Sequence, residues 1–170
     1  MRHSYHRSPN RVVKEFEMSD RPRTYNVLNS LLRFHAFPSE TMGKYCFVEC
    51  LVPPGAGAPP NYHAGETESY YILEGQVGFL VDGRELLAGQ GDFIVIPDGA
   101  VHAFEAVGDT PARLLIVNAP GHMHDAFFTG IGSPLPDDQT ELPEPKEPDI
   151  AMVMAKANEV GLSIVTQAGK

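Results

Sequence analysis

Two short segments of this chain bring histidine and glutamate together with turn-forming glycines. The first runs from Asn61 to Gly75 and contains His63 and Glu68, with six residues between Glu68 and Gly75. The second reads Gly-Asp-Phe-Ile-Val-Ile-Pro-Asp-Gly-Ala-Val-His and ends at His102. Two imidazoles and one carboxylate on short strands form a donor set that suits a borderline divalent metal with open coordination positions. The two segments in this order predict a metal site, which neither segment would predict alone.

These spacings resemble the paired motifs of the cupin superfamily. Its first motif is a glycine, five residues, His-x-His, three or four residues, a glutamate, six residues and a glycine. Glu68 and Gly75 keep the last of these intervals, and His63 takes the second histidine position. The second motif is a glycine, five residues, Pro-x-Gly, two residues and a histidine, and the matching residues here are Gly91, Pro97, Gly99 and His102.

The resemblance departs from the family pattern at two positions. Asn61 occupies the first histidine position of the first motif, and Ala106 replaces the asparagine that usually closes the second. The family's site of three histidines and one glutamate would therefore become a site held by Asn61, His63, Glu68 and His102.

Similarity beyond the motifs points to one branch of the family. Residues 52–60 and 112–121, followed by Phe127-Phe128, resemble the single-domain, quercetin-dioxygenase-like cupins. The resemblance covers roughly residues 25 to 166. It implies an all-β fold, the cupin double-stranded β-helix or jelly-roll barrel, with a C-terminal helix.

The side chains next to the expected ligands are aromatic or apolar. Because alternate residues of a strand face the same side, an inward Glu68 places Tyr70 and Ile72 inward, and an inward His102 does the same for Phe104. The metal would then lie in a mostly apolar cavity with a few polar groups, as is usual for small-molecule sites. We expect Tyr70, Ile72 and Phe104 to contact the substrate.

Asn61 leaves two interpretations open. Its amide oxygen could be a weak, neutral fourth donor. Replacing an imidazole by an amide in this way favours harder ions. The expected cofactor is then one divalent transition metal, Fe, Mn or Ni in preference to Zn. Alternatively, Asn61 abolishes the site, and His63, Glu68 and His102 hydrogen-bond one another without a metal. The cost of burying an unpaired carboxylate favours the metal.

Three other polar residues lie near the motifs. Glu66 is two residues from Glu68, but it does not keep the interval to Gly75, so we expect it at the rim of the barrel. The sequence His122-Met-His124 follows a Pro-Gly pair and has no carboxylate at cupin spacing, which favours a surface loop. If this loop folds over the barrel mouth, its histidines could complete the ligand shell that Asn61 leaves deficient.

Short apolar runs separated by turn residues predict the strands that would position these side chains. Asp82-Gly83 is typical of a type I′ hairpin turn. The proline-rich residues 53–60 predict a stiff, extended loop. The predicted strands are Leu31–Ala36, Tyr45–Val52, Ser69–Leu73, Val77–Val81, Arg84–Leu87, Phe93–Ile96, His102–Val107 and Arg113–Asn118.

We expect four units along the chain. Residues 1–24 form an N-terminal arm, 25–132 the β-barrel, 133–149 a proline-rich acidic linker, and 150–170 a C-terminal helix and tail. Apolar residues recur at helical spacing from Ile150, with Asp149 available as N-cap and Gly161 as the stop.

Composition excludes some classes of partner. A net charge of −9 argues against nucleic acid, and no apolar run is long enough to span a membrane. The first residues lack the apolar stretch of a secretory signal, so we expect a cytoplasmic protein. Cys46 and Cys50 lie four residues apart on one predicted strand, roughly 13 Å at about 3.3 Å per residue, which is too far for a disulfide. We also expect a homodimer, because exposed sheet edges need covering.

Three functions are compatible with these residues. The first is a metal-dependent dioxygenase acting on a small aromatic or enolic molecule, with Glu68 accepting a proton from the substrate hydroxyl. The second is a metal-dependent isomerase or decarboxylase that needs no O₂. The third is a non-catalytic module that binds a small molecule in the cavity.

Overall fold

Two antiparallel sheets face each other in the computed structural model, which describes residues 19–165 of the chain. One sheet has seven strands in the order β11-β1-β2-β3-β10-β5-β8, and the other has five in the order β12-β4-β9-β6-β7. The strands are β1 (Thr24–Val27), β2 (Ser30–Ala36), β3 (Cys46–Val52), β4 (Gly57–Tyr62), β5 (Thr67–Glu74), β6 (Gln76–Val81), β7 (Arg84–Gly89), β8 (Phe93–Ile96), β9 (His102–Val107), β10 (Ala112–Ala119), β11 (Ser133–Leu135) and β12 (Ser163–Ile164).

All eight predicted strands are present as β2, β3 and β5–β10, which confirms the all-β prediction. Their inward faces alternate with outward ones, as in β3, where every second residue is buried. Asp82 and Gly83 both have positive φ, 47° and 78°, so the predicted hairpin turn joins β6 to β7. The core between the sheets is built from large apolar side chains, among them Leu32, Phe34, Phe37, Val48, Ile72 and Leu114.

Residues 57–60 of the proline-rich stretch belong to strand β4, whereas residues 53–56 lie outside the strands, as predicted for a loop. The pairing of β4 with β9 shifts between Ala58 and Asn61, so the two prolines of the strand fall in the irregular part of the ladder, where a missing N–H costs little. Gly57 approaches β9 so closely that a Cβ there would lie 1.9 Å from the Phe104 carbonyl oxygen. Beyond the shift, Asn61 lies directly opposite His102.

Two helices cover one side of the sheets. Helix α2 (Ile150–Val160) confirms the predicted C-terminal helix: the Asp149 side chain accepts a hydrogen bond from the Met152 N–H at 2.9 Å, and Gly161 ends the helix with a φ of 88°. Helix α1 (His122–Ile131) replaces the surface loop predicted there. Within the described residues, neither helix has the length and apolar character needed to cross a membrane.

The unit boundaries remain a prediction at both ends of the chain. Most of the predicted N-terminal arm, and residues 166–170 of the tail, lie outside the described residues. Within the predicted linker, Ser133–Leu135 pairs with β1, and the Asp137 carboxylate accepts hydrogen bonds from the backbone N–H groups of Arg23 and Thr24. This part of the linker is therefore bound to the sheet.

Candidate metal centre

The three side chains given by the sequence motifs meet in the interior. Glu68 is on β5, His102 is the first residue of β9, and His63 follows β4; all are at most 3% exposed. The Glu68 Oε2 atom lies 3.1 Å from His102 Nε2 and 3.7 Å from His63 Nε2. The other carboxylate oxygen accepts a hydrogen bond from the Asn118 amide at 2.9 Å. Two sheets and one loop thus converge on one carboxylate.

A third imidazole joins this group from helix α1. His124 is 3% exposed, and its Nε2 lies 3.6 Å from Glu68 Oε1. One ligand atom from each of His63, Glu68 and His124 falls within 4.8 Å of the other two. The prediction of a surface loop here was wrong, because His124, Phe127 and Ile131 form the buried stripe of a short helix. Their three- and four-residue spacing is the signal that could have revealed it.

Gly121 allows α1 to start immediately after β10 and so places His124 within the first turn. Its φ is 87°, and a Cβ at this position would lie 2.4 Å from the Cys46 backbone nitrogen. A side chain would therefore be excluded both by backbone conformation and by contact.

Glu66 is buried beneath α1, so its predicted position at the rim was wrong. It is 4% exposed, and its carboxylate accepts hydrogen bonds from His124 Nδ1 at 2.7 Å and from the Met123 N–H at 2.8 Å. Glu66 immediately precedes β5, and its carboxylate and that of Glu68 both lie beside His124, so the two face the same side. The second bond also satisfies a free N–H group at the start of the helix.

Hydrogen bonds on the far side of two rings fix the tautomers. His102 Nδ1 lies 2.9 Å from the Ala100 carbonyl oxygen, which can only accept, so Nδ1 carries the hydrogen. His124 Nδ1 faces the carboxylate of Glu66 and also donates. The Nε2 atom of each ring faces Glu68 and is the nitrogen that would be left to bind a metal.

His63 adds a third imidazole to the two that face Glu68. Neither of its ring nitrogens has a hydrogen-bond partner among the described residues, although the side chain is buried. Buried polar groups are normally paired. Lone pairs from three imidazoles around a buried carboxylate are the environment that a cation stabilises, so these residues fit a divalent metal.

The contacts between Glu68 and its neighbouring imidazoles shift the pKa values of Glu68 and His102. Burial alone would raise the pKa of Glu68, but the neighbouring imidazoles of His124, His102 and His63 outweigh it and hold the pKa well below its usual value. We expected desolvation to increase the basicity of Glu68; the imidazole neighbours reverse that expectation. Burial lowers the pKa of His102, but its bonds to Glu68 and to the Ala100 carbonyl raise it above the ordinary value.

Asn61 has its amide group turned towards the backbone. The Nδ2 atom donates to the carbonyl oxygens of Pro59 at 2.9 Å and His102 at 3.2 Å. Both amide hydrogens are therefore bonded to backbone carbonyls, one on β4 and one on β9, and the Oδ1 atom could still accept a hydrogen bond or bind an ion. The side chain is 7% exposed and borders the cavity described next.

A mostly apolar cavity of about 280 Å³ adjoins the polar cluster. Two of the expected substrate contacts, Tyr70 and Phe104, line it with ring centroids 5.4 Å apart. Ile72 does not border this cavity; it is fully buried in the core, one step further along β5. The helices and β12 supply the opposite wall through Phe127, Phe128, Ile150, Val153, Met154 and Ile164.

Comparison with known proteins agrees with this architecture. The model of the family described as a cupin domain matches residues 48–118. Quercetin 2,3-dioxygenase of Bacillus subtilis is 31% identical over 106 residues, which are 62% of this chain and 31% of that enzyme. An uncharacterized protein of Methanocaldococcus jannaschii is 31% identical over 97 residues, 56% of this chain and 78% of that protein.

One solved structure superposes on more than half of this chain. The crystal structure of a predicted oxalate decarboxylase from Thermotoga maritima superposes with a TM-score of 0.52 and 26% sequence identity, covering 58% of this chain and 90% of that one. The chain spans less than a third of the Bacillus subtilis enzyme and most of the Methanocaldococcus jannaschii protein. The fold, the two motifs and these similarities together show that the chain belongs to the cupin superfamily.

Proposed function

We propose that this protein is a metal-dependent oxidoreductase of the dioxygenase type, acting on a small aromatic or enolic molecule. The observation that carries the proposal is His63, whose two ring nitrogens are buried without a hydrogen-bond partner among the described residues, beside the Glu68 carboxylate. A metal ion would satisfy both groups. Similarity to quercetin 2,3-dioxygenase supports the choice of reaction.

The ligands proposed from the motifs are His63, Glu68 and His102, with the Asn61 oxygen as a weak fourth donor. An iron, manganese or nickel ion bound there would supply Lewis acidity towards a substrate hydroxyl and redox chemistry with O₂. The protein's part is to hold these side chains in place before binding, and the Asn118 amide does so for Glu68 at 2.9 Å.

The cavity wall indicates the substrate class. Among the described residues that line the cavity there is no lysine or arginine, and the walls are mostly aromatic and aliphatic. Such a site favours a flat, apolar molecule over a dianion such as oxalate, which needs cationic partners. Tyr70 and Phe104 would pack against its ring system.

Glu68 is the residue proposed to move a proton. Among the described residues that line the cavity it is the sole carboxylate. Its low pKa keeps it ionised, as a proton acceptor must be, but also makes it a weaker base than an ordinary glutamate. The substrate hydroxyl must therefore be acidified, which is the part that a bound metal would play. Tyr70 is held in its neutral form, because burial and the nearby Glu68 charge raise its pKa well above the usual value.

A non-catalytic binding module is the second candidate, and Asn61 favours it. The amide replaces a family histidine, and its NH₂ group is already engaged by two backbone carbonyls. A protein of this kind would be stabilised by its ligand without turnover.

Oxygen uptake tests the proposal. The metal-free protein is loaded in turn with Fe(II), Mn(II) and Ni(II), and O₂ consumption is measured with a panel of flavonols and catechols. We expect uptake with at least one metal, its loss in His102→Ala, and its retention in His35→Ala, which changes an exposed imidazole paired with Glu49 on the outer surface.

Other outcomes would replace the proposal. Substrate loss that persists without O₂ would indicate a metal-dependent isomerase or decarboxylase. Thermal stabilisation by a flavonol without any turnover would indicate the binding module.

A further inference from the structure

We infer that His124 is a ligand of the metal, in place of Asn61, and that Glu66 positions its ring. This inference rests on the metal-dependent function proposed above. It moves the fourth ligand from the barrel strand, where the family motif has a histidine, to helix α1.

The spacing of the donor atoms fits a shared ion. Two atoms that each bind one metal at about 2.1 Å are separated by roughly 3.0 Å at a right angle and roughly 3.4 Å at the tetrahedral angle. The Glu68 Oε2 atom lies 3.1 Å from His102 Nε2 and 3.7 Å from His63 Nε2, and the Oε1 atom lies 3.6 Å from His124 Nε2. The two longer distances exceed the tetrahedral value by only about 0.2–0.3 Å, which a small movement of each ring would close. His124 therefore lies as close to the shared carboxylate as His63, which the family motif identifies as a ligand.

A simple ion pair explains this geometry less well. A protonated His124 bridging two carboxylates would bring Nε2 to hydrogen-bond distance of Glu68, about 2.7–2.9 Å for a charge-assisted bond. The observed separation is 3.6 Å, whereas the opposite bond to Glu66 is 2.7 Å. The Glu68 Oε1 atom also already accepts from Asn118. The ring is thus anchored at Nδ1, and its Nε2 lone pair is left for another partner.

Glu66 supplies the support that metal-bound histidines usually have. Such histidines donate their other N–H to a carboxylate or carbonyl, which fixes the tautomer and increases ligand basicity. Glu66 does this for His124, and the Ala100 carbonyl does the same for His102. Two of the three rings therefore carry the same kind of outer hydrogen bond, one on a helix and one on a strand.

Asn61 has a different part in this arrangement. Its amide group donates one hydrogen bond within β4, to the Pro59 carbonyl, and one across to β9, to the carbonyl of His102, which lies opposite Asn61. An imidazole could not donate to both carbonyls at once. The amide therefore holds the strand that carries His102, and the coordination position it gives up is supplied from α1.

Cobalt binding tests the inference by spectroscopy and affinity. Wild type, His124→Gln, Asn61→Ala and the control His122→Gln are loaded with Co(II), and affinity is measured by competition with a chelator. His122 is the matched control because it is exposed on the same helix, two residues away. We expect His124→Gln to weaken Co(II) binding at least tenfold and to shift the visible absorption bands, whereas His122→Gln keeps the wild-type affinity and spectrum. Asn61→Ala removes the hydrogen bond to the His102 carbonyl, and we expect it to lower the affinity less than His124→Gln does.

Pulsed EPR of the Cu(II)-loaded protein gives an independent count of bound imidazoles. We expect one fewer in His124→Gln than in wild type. Glu66→Gln keeps the imidazole count but removes the carboxylate, so we expect a shifted Co(II) spectrum and an affinity loss of about 10–100-fold. A wild-type spectrum in Glu66→Gln would refute its positioning role.

The failures of the two proposals are distinguishable. If wild type binds metal and His124→Gln matches it in affinity, spectrum and imidazole count, the assignment of His124 is overturned and the metal-dependent function stands. If wild type binds neither Co(II) nor Cu(II), both proposals fail together.

Discussion

Replacing His63 by leucine should stabilise the metal-free protein while removing its metal binding. His63 is 2% exposed and has no hydrogen-bond partner at either ring nitrogen among the described residues. Leaving a buried polar group unpaired costs about 1–3 kcal/mol, and an apolar residue of similar size avoids this cost. For a chain of this size each kcal/mol corresponds to roughly 2–4 °C in Tm. We therefore expect the Tm of metal-free His63→Leu to lie measurably above that of metal-free wild type.

With metal present, wild type should unfold at a higher temperature than His63→Leu. An ion present at a hundred times its Kd stabilises wild type by about 2.7 kcal/mol, and a variant that does not bind gains nothing. Thermal unfolding is therefore measured with and without Co(II) or Mn(II). The matched control is His102→Leu, which leaves the Ala100 carbonyl without its 2.9 Å partner and should not be stabilised.

The result that refutes this reasoning is a metal-free His63→Leu protein that unfolds at a lower temperature than wild type. His63 would then contribute to stability by itself, and its lack of partners could no longer support a metal site.

Three further predictions concern other parts of the molecule. Glu40 accepts hydrogen bonds from Arg23 and two backbone N–H groups; burial raises its pKa but these donors lower it below 4.5. The ionised Glu40 therefore stabilises the fold fully above about pH 4.5, and this stabilisation is lost as the pH falls through the pKa of the folded state. Glu40→Gln should thus make the free energy of unfolding less dependent on pH in acid, and an unchanged dependence would contradict this. Phe104→Ala should weaken an aromatic ligand about 2–10-fold, corresponding to about 0.5–1.5 kcal/mol, as measured by calorimetry; equal affinity would place the ligand elsewhere. Phe93 is 60% exposed on edge strand β8, and if the expected homodimer forms there, Phe93→Glu should sediment as a monomer while wild type does not.

The strands were predictable because alternation and turn chemistry are local properties. Between β5 and β10, turn-forming residues in the sequence mark where strands end, as Asp82-Gly83 does at the hairpin between β6 and β7. Strand β4 was missed since its prolines suggest a loop, and the register shift that accommodates them depends on β9. Cytoplasmic location and the homodimer stay predictions.

The polar cluster was predictable in part. His63, Glu68 and His102 follow from motif spacing, and the structure brings them together. His124 was predicted only as an alternative, in case its segment folds over the barrel mouth, and Glu66 was not predicted, because its partner His124 is 58 positions away. A short helix without a side-chain N-cap also gives little local signal at its start.

Helix α2 and β12 have a consequence for how the protein is made. They form one wall of the cavity through residues such as Val153, Met154 and Ile164, yet they follow every side chain of the polar cluster in the chain. Since a protein leaves the ribosome from its N-terminus, the barrel and α1 exist before their cover does. We therefore expect a metal to enter most easily before α2 docks, and the docked helix to slow both its entry and its loss.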